Sequence, residues 1–177
     1  MRLAAGTAAP DFTATVYRRD PLTLSSLRGQ KVWLAFFRYA GCPLCNLRVH
    51  QMIQRYDAWE ATGLRIIAVF QAPVNEVAEN VGEQNAPFPI VCDPDEKLYA
   101  LYGLEASLAG YLSAKNLPVA AEALKAGFLP GTTHGTKTRL PADFLIDADG
   151  RIVETFYAGH IGEHIPFERI DAFTGRT

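Results

Sequence analysis

Two cysteines separated by two residues form the part of this sequence best suited to chemistry. They lie in the segment Gly41-Cys42-Pro43-Leu44-Cys45. Residues i and i+3 of a helix are neighbours, so thiols at this spacing are within reach of a disulfide. A thiolate attacks an electrophilic atom, and a second thiol nearby can resolve or release the covalent intermediate. The pair therefore predicts redox chemistry in which Cys42, as the more exposed thiol, attacks and Cys45 resolves.

The residues around the pair predict where Cys42 lies. Residues 31–37 form an apolar run without alternation, which is typical of a strand buried on both faces. Gly41 interrupts this run, and Pro43 suits the first turn of a helix. Cys42 is therefore expected at the helix N-cap, where unpaired backbone N–H groups and the helix dipole favour a thiolate.

Other interpretations of the sulfur and imidazole groups stay open. The pair could be two structural cysteines, or it could bind a metal. A structural zinc site is usually bound by four ligands, and the sequence has no second C-x-x-C or C-x-x-H to complete such a set. We therefore expect neither a metal nor a cofactor. Cys92 ends a short predicted strand and is interpreted as a buried structural thiol. His134, His160 and His164 fall in predicted loops and are interpreted as solvated.

Strands and helices alternate through the first part of the chain. The predicted order is strand, helix, strand, helix, strand, helix, at residues 31–37, 43–63, 64–70, 73–82, 88–92 and 96–102. This alternation is typical of a parallel sheet covered by helices.

The remaining segments add strands at both ends and an insert. Two further strand pairs are predicted, at residues 12–16, 22–24, 142–146 and 152–157. Residues 105–128 are rich in Leu and Ala and predict one or two helices, which could cover the active-site edge, form a dimer face or extend the core. A Gly- and Thr-rich loop follows at residues 129–138, and a last helix is expected to start near Pro166.

Length and composition limit the classes of function. The chain has 177 residues, 49% of them apolar, which predicts a single domain (residues 1–177) with a substantial core. The formal net charge is −2 and the basic residues do not cluster, so nucleic acid is not an expected partner. No apolar run reaches bilayer length, and no membrane partner is expected. The N-terminal residues lack a signal-peptide core, so we expect a cytoplasmic location, where thiols are kept reduced.

Several short motifs occur in an order that resembles one known family. They are Gly6-x-x-Ala9-Pro10-Asp11-Phe12, Leu24-x-x-Leu27-x-Gly29, residues 36–45, Asp93-Pro94-Asp95 with Tyr102-Gly103, and Phe144-Leu145-Ile146-Asp147-x-Asp149-Gly150-Arg151-Ile152. Over residues 6–157 the chain resembles the alkyl hydroperoxide reductase/thiol-specific antioxidant family, in the peroxiredoxin-like branch that keeps a C-x-x-C. The resemblance implies an α/β thioredoxin-like fold, with a central mixed sheet flanked by helices, an N-terminal β-hairpin and a helical insert at residues 104–128.

The same resemblance implies roles for individual residues. Cys42 is implied to be the attacking cysteine, and Arg38 or Arg139 the arginine that favours its thiolate, with a solvated surface position as the alternative for each arginine. Pro141 is implied to be a cis proline beside the pair, with an ordinary trans proline at a strand start as the alternative. The sequence departs from the family pattern P-x-x-x-T-x-x-C, because Tyr39 stands where Thr or Ser is usual, and its hydroxyl is a candidate substitute.

Three functions fit these observations. In the first, an antioxidant, Cys42 attacks a hydroperoxide and becomes a sulfenic acid, Cys45 condenses with it to an intramolecular disulfide, and an external thiol reductant, such as a thioredoxin or glutathione system, restores the pair. In the second, a thiol–disulfide oxidoreductase, Cys42 attacks a protein or small-molecule disulfide. In the third, a non-enzymatic module senses oxidation through the pair. The first is preferred, and a homodimer is compatible with the insert.

Overall fold

The computed structural model describes residues 1–176 and contains a seven-stranded mixed sheet. The strands are β1 (Thr13–Val16), β2 (Arg19–Thr23), β3 (Val32–Phe36), β4 (Arg65–Phe70), β5 (Ile90–Cys92), β6 (Ala142–Ile146) and β7 (Ile152–Tyr157). Their order across the sheet is β2-β1-β5-β4-β3-β6-β7. The pairs β3–β4 and β4–β5 are parallel, and the other pairs are antiparallel, so the predicted mixed sheet is confirmed.

Six α-helices are described within residues 1–176. They are α1 (Pro43–Glu60), α2 (Val74–Ala78), α3 (Lys97–Leu101), α4 (Leu108–Tyr111), α5 (Asn116–Lys125) and α6 (Phe167–Thr174). The predicted helical insert is confirmed as the two helices α4 and α5. The helix predicted at residues 73–82 is instead split, because Asn80 leaves helical dihedrals (φ −133°, ψ −105°) before a 3₁₀ turn at Val81–Gln84. No helix in this part of the chain is both long enough and apolar enough to cross a membrane.

The N-terminal hairpin is present, but its second strand starts earlier than predicted. The strand predicted at residues 22–24 begins at Arg19, ends at Thr23 and includes Pro21. The chain reverses just before this strand, at Arg18, whose φ of 54° lies in the left-handed region. Proline is accommodated because β2 is an edge strand, which has a neighbouring strand on one side only. The missing N–H of Pro21 therefore removes no hydrogen bond from the interior of the sheet.

The sheet buries side chains on both faces, which explains the continuous apolar run of β3. Trp33 and Ala35 face α1 and share a core with the two cysteines, and Trp33 packs edge-to-face on Trp59 of α1 at 5.4 Å between ring centroids. Leu34 and Phe36 face the opposite core, which α3 covers. Every residue of β3 is buried, as expected for a strand with helices on both sides.

The register between β3 and β6 decides what lies beside the cysteine pair. Ala35 is directly opposite Asp143, and Phe36 is opposite Ala142, so the start of β6 adjoins the chain that leaves β3 towards Cys42. Side chains at i and i+2 of a strand share a face, so Asp143 lies on the α1 side of the sheet with Ala35. A carboxylate is therefore placed in the core that contains the thiols.

Pro141 precedes β6 as expected, but its peptide bond is not cis. Every peptide bond in the described part of the chain is trans, which corrects the expectation from the family resemblance. The reason is visible in the backbone pairing on both sides of the proline. The Leu140 N–H donates to the Glu105 carbonyl at 3.0 Å, and the Pro141 carbonyl accepts from the Ala158 N–H at 3.0 Å. The chain thus enters β6 already extended, which a trans X–Pro bond matches.

Candidate active site

The two cysteines lie at the start of α1, where the sequence places them. Cys42 is the N-cap residue of α1, which confirms that prediction, and Pro43 is the first helical residue. The backbone N–H groups of Leu44 and Cys45 and the Cys45 thiol all face the Cys42 sulfur. These are the unpaired donors of a helix N-terminus, so a negative sulfur is stabilised there.

Both cysteine side chains are fully buried, at 0% exposure, so the prediction that Cys42 is the more exposed thiol is wrong. The loop at residues 129–138 lies against the turn before Cys42. The Gly131 N–H donates to the Gly41 carbonyl at 2.9 Å. A Cβ atom added to Gly41 would stand 2.5 Å from the carbonyl carbon of Gly131, so the two backbones touch with no room for a side chain. No local signal in the sequence predicts this cover.

One of the two predicted arginines contacts the sulfur. Arg38 Nη1 lies 3.3 Å from the Cys42 Sγ, and Nη2 donates to the Lys137 carbonyl. The guanidinium is 4.9 Å from the ring centroid of Tyr39 and 5.5 Å from that of Tyr111. Arg38 is only 1% exposed, so the alternative of a solvated surface arginine is wrong for this residue. A charge held this rigidly in a water-poor site acts strongly on the neighbouring thiol.

The surroundings drive the pKa values of the two thiols apart. Burial alone would raise the pKa of Cys42, but the Cys45 thiol, the Arg38 guanidinium and the helix N–H groups together lower it to about 6. Burial and the neighbouring Cys42 sulfur raise the pKa of Cys45 well above that of an ordinary thiol. At neutral pH the arrangement therefore favours a thiolate at Cys42 and a protonated thiol at Cys45.

The lowered pKa of Cys42 predicts how its reactivity depends on pH. We expect the alkylation rate of Cys42 to be half-maximal at pH about 6, to be lost below that pH and to stay level above it. The sign follows because only the thiolate reacts, and protonation removes it as the pH falls. Iodoacetamide labelling of Cys42 in reduced wild-type protein across a pH series, read by peptide mass, measures this curve. A midpoint near that of an ordinary thiol, about 8.5, would contradict the electrostatic account.

The other predicted site residues lie further from the sulfur or face elsewhere. Arg139 pairs with Glu96 and donates to the Leu104 carbonyl at 3.0 Å, so its guanidinium is engaged away from Cys42. Tyr39 is half-buried, and its ring lies against Arg38. The structure therefore brings together Cys42, Cys45, Arg38 and the ring of Tyr39, and it does not bring Arg139 to them.

Two residues that the sequence interpretation overlooked support this arrangement. The side-chain amide of Asn46 donates to the Ala40 carbonyl at 2.7 Å and to the Cys42 carbonyl at 3.0 Å, which holds the turn that presents the sulfur. Tyr111, in α4, brings the helical insert against Arg38. Asn46 directly follows the cysteine pair, so a polar residue in the first turn of the helix was an available signal. Tyr111 has no local signal.

A buried acid and a buried histidine lie in the α1 core. Asp143 is fully buried and accepts from the Trp33 indole at 2.9 Å and from the Ile165 N–H at 3.0 Å. His164 Nδ1 stands 3.6 Å from Asp143 Oδ2, and its side chain is only 6% exposed, so the interpretation of His164 as a solvated loop residue is wrong. Hydrophobic neighbours on the chain after β7, such as Ile165, carry His164 inward.

Burial acts on the acid and the histidine in opposite ways. Burial tends to raise the pKa of Asp143, but the nearby His164 imidazole, the Arg48 guanidinium and the Ile165 N–H bring it below the ordinary value. Burial lowers the pKa of His164, and the attraction of Asp143 compensates only in part. The arrangement therefore holds a carboxylate beside a neutral imidazole at neutral pH. Cys92 is buried, as expected for a structural thiol.

A cavity of about 420 Å³ opens beside the cysteine pair. Its walls are mostly apolar and come from α1, the insert and the covering loop: Arg38, Tyr39, Pro43, Leu44, Tyr111, Ala120, Leu124, Pro130 and Ile161. Arg38 is the charged group in this wall, so a polar atom that enters the cavity meets the guanidinium. In residues 1–176 no three His, Cys, Asp or Glu side chains come together as a metal site would require.

Comparison with known proteins places the chain in a family. A family model described as the AhpC/TSA family matches residues 5–155. The chain is 31% identical over 113 residues to the "Peroxiredoxin" of Thermoplasma volcanium, covering 59% of this chain and 54% of that protein. It is 24% identical over 154 residues to the "Thiol-disulfide oxidoreductase ResA" of Bacillus thuringiensis, covering 86% of this chain and 69% of that protein. The chain spans about half the length, 54% and 52%, of the two Thermoplasma peroxiredoxins it matches.

The solved structures agree on the fold. The peroxidoxin BcpB of Mycobacterium tuberculosis superposes with a TM-score of 0.69 at 17% identity, covering 97% of this chain and 96% of that one. The chain therefore has the α/β thioredoxin-like fold implied by its motifs. Because the matched residues 5–155 include the cysteine pair, Arg38 and most of the sheet, the chain belongs to the AhpC/TSA family.

Proposed function

We propose that this chain is a thiol-dependent oxidoreductase that reduces hydroperoxides through Cys42 and Cys45, working as one domain. The observation that carries the proposal is the contact of Arg38 Nη1 with the Cys42 sulfur at 3.3 Å, inside a buried pair of thiols with divergent pKa values. The peroxiredoxins among its relatives support a hydroperoxide as the substrate. A fixed cation beside a thiolate suits a reaction in which negative charge moves onto an oxygen.

The first chemical step uses the thiolate and the arginine. The Cys42 thiolate attacks the terminal oxygen of the hydroperoxide, an S–O bond forms and the O–O bond breaks, and the alkoxide that leaves takes up a proton to become an alcohol or water. Arg38 Nε is buried and finds no acceptor among the described residues. This N–H is therefore free to donate to a peroxide oxygen, while Nη1 holds the sulfur.

The second step uses Cys45. Its thiol loses a proton and attacks the sulfur of the Cys42 sulfenic acid, so that an S–S bond forms, the S–O bond breaks and water leaves. An external thiol reductant, either one dithiol or two monothiol molecules, then supplies two electrons and two protons and restores both thiols. A thioredoxin-type protein or a glutathione system fits this last step.

A second candidate is a thiol–disulfide oxidoreductase, in which the electrophile is a disulfide. The specific observation in its favour is that the Tyr39 ring packs against Arg38 at the position where the family pattern has the short hydroxyl side chain of Thr or Ser. The match to ResA over 86% of this chain supports it as well. Both candidates use Cys42 to attack and Cys45 to resolve, and they differ in the first electrophile.

The deciding experiment is the reaction of reduced protein with hydrogen peroxide, followed by intact mass. We expect wild type to lose two hydrogens as the internal disulfide forms, and Cys45→Ser protein to stop at a sulfenic acid that dimedone traps. Cys42→Ser protein serves as the control and should not react. If wild type reacts no faster than a free thiol of the same pKa, the peroxidase proposal is wrong and disulfide reduction becomes the working hypothesis.

A further inference from the structure

The loop that buries Cys42 is held in place at several points. We name residues 129–138 the lid; they lie between α5 and β6 and contain neither helix nor strand. At one end, the lid backbone rests on the backbone of Gly41, as described above. A Cβ atom on Gly131 would stand 2.2 Å from Asn80 Oδ1, so the lid is enclosed from its other side too. The lid thus fits into a slot and closes over the attacking sulfur.

Further along the lid, one glutamine holds two carbonyl groups. Gln71 directly follows β4 and is fully buried. Its Nε2 donates to the His134 carbonyl at 2.9 Å and to the Thr136 carbonyl at 2.9 Å. The Thr136 N–H in turn donates to Glu96 Oε1 at 2.8 Å. Both hydrogen bonds that the Gln71 amide donates therefore go to the lid. The side-chain carbonyl oxygen of Gln71 has no hydrogen-bond partner among the residues described.

From these contacts we infer that the lid selects the electrophile by size and that Gln71 is a positioning residue that keeps the lid closed. The inference rests on the proposed function, in which Cys42 is the attacking thiol. With the lid closed, the cavity of about 420 Å³ beside Pro130 still reaches Arg38. A water molecule takes up about 30 Å³ of liquid volume, so a hydroperoxide of a few atoms fits this space.

A disulfide within a folded protein cannot reach the Cys42 sulfur by this route. Attack on a disulfide requires the thiolate and both disulfide sulfurs in line, and the lid backbone that rests on Gly41 blocks the approach of a second folded chain to the turn before Cys42. The lid must open for this reaction. A small hydroperoxide in this cavity lies beside Arg38 and Pro43 and needs only a local side-chain movement to reach the fully buried Cys42 sulfur, whereas protein disulfides react only in the fraction of molecules in which the lid is open.

The strength of the Gln71 hydrogen bonds determines how far the fraction of molecules with an open lid should rise when Gln71 is replaced. Two hydrogen bonds of ordinary net strength, when lost together, raise the open fraction by about tenfold to thirtyfold. Gln71→Leu removes both donors, keeps a similar volume and adds no charge near the thiolate. The reaction of Cys42 with a bulky electrophile should rise by that factor, and its reaction with a small one should change by less than about twofold.

The test compares probes of two sizes and does not depend on peroxidase activity. Reduced wild type and Gln71→Leu protein are treated separately with iodoacetamide, hydrogen peroxide and a maleimide that carries a polyethylene glycol chain, and modification of Cys42 is read by peptide mass. A change in thiolate population affects all three reagents alike, so the ratio between bulky and small reagents reports lid opening alone.

Two further variants keep the test decisive. Thr136→Pro removes the N–H that Glu96 holds, so it opens the lid at a second point without altering the buried Gln71. Gln51→Leu is the control, because its amide donates to Glu122 between α1 and α5 and not to the lid. We expect Thr136→Pro to resemble Gln71→Leu, and Gln51→Leu to resemble wild type.

The inference is overturned if the rates at which the bulky and the small reagents modify Cys42 rise by equal factors in both lid variants. It is also overturned if neither variant changes the rate of modification by the bulky reagent. Failure of the proposed function is a separate result. It would be seen as a slow reaction of wild type with hydrogen peroxide. The ratio of the rates at which the bulky maleimide and iodoacetamide modify Cys42 would still be measurable in that case.

Discussion

Arg38→Met is expected to slow the reaction of Cys42 with hydrogen peroxide at pH 7 by about twofold to a hundredfold. The guanidinium stands 3.3 Å from the sulfur in a buried site, and an opposite charge this close typically lowers an acid's pKa by about 1–3 units. Methionine fills the same space without charge. The pKa of Cys42 should then rise from about 6, and the thiolate becomes the minor form at neutral pH.

The measurement is the peroxide rate of each variant as a function of pH. Arg139→Met provides a matched control, since Arg139 is also a largely buried arginine but pairs with Glu96. We expect its pH midpoint to stay near that of wild type. Above the raised pKa, Arg38→Met regains its thiolate, and any rate deficit that persists there measures the contribution of Arg38 to the breaking O–O bond. Superimposable pH curves for Arg38→Met and wild type would refute the assignment.

Asp143→Ala is expected to lower the free energy of unfolding by about 3–5 kcal/mol, as removal of one partner from a buried charged pair usually does. The substitution leaves the indole N–H of Trp33 and the N–H of Ile165 buried without an acceptor. It also leaves the Arg48 guanidinium, which is near this carboxylate, without its counter-charge. Urea unfolding of reduced protein, followed by circular dichroism, measures the loss.

Asp171→Ala is the matched control for Asp143→Ala. Asp171 also accepts from an indole N–H, that of Trp59 at 2.7 Å, but its side chain is 31% exposed. Water can replace the lost acceptor there, so the expected cost is about 1 kcal/mol. Equal losses in the two variants would mean that the buried cluster around Asp143 contributes no more than a surface hydrogen bond.

The same cluster predicts that the fold weakens in acid. The pKa of His164 is lowered in the fold, so the unfolded chain takes up this proton first and stability declines as the pH falls below about 6.5. The pKa of Asp143 is lowered too, so its contribution is present above the unfolded value of about 3.9 and is lost as the pH falls through the folded one. His164→Gln should remove the upper part of this decline and shift the lower part to higher pH, because His164 is one of the groups that lower the pKa of Asp143; urea unfolding across a pH series measures both parts.

The place of the cysteine pair could be predicted from the sequence because its causes are local. A buried apolar run, Gly41 and Pro43 together determine that Cys42 begins a helix, and all lie within a few residues of it. Arg38, which the family resemblance implies as a candidate together with Arg139, lies in the same short segment, four residues from Cys42. Local geometry gives no such information about exposure, which depends on whatever else folds over the site.

The remainder of the site depends on contacts between distant parts of the chain. Gln71 and Thr136 are 65 residues apart, and Trp33 and Asp143 are 110 apart. Arg139 matched a family position but is drawn to Glu96, which periodicity alone does not reveal. The sheet register places Asp143 of β6 directly across from Ala35 of β3. Pairing between strands, which a linear motif does not record, supplies the carboxylate.

The lid is attached mainly through its own backbone, by the N–H of Gly131 and Thr136 and the carbonyls of His134, Thr136 and Lys137. Among its side chains, that of His134 lies 3.4 Å from Glu76. Closure therefore depends little on the side chains that most of the lid carries. Homologues could exchange most of these residues while retaining the same closed state, and an alanine scan of the lid would show its largest effects at Gly131, which has no room for a Cβ atom, and at Gly135, whose φ is 67°. The residues that reveal the lid's role lie outside it, in positions such as Gln71, so tolerance to substitution in this loop is no measure of its importance.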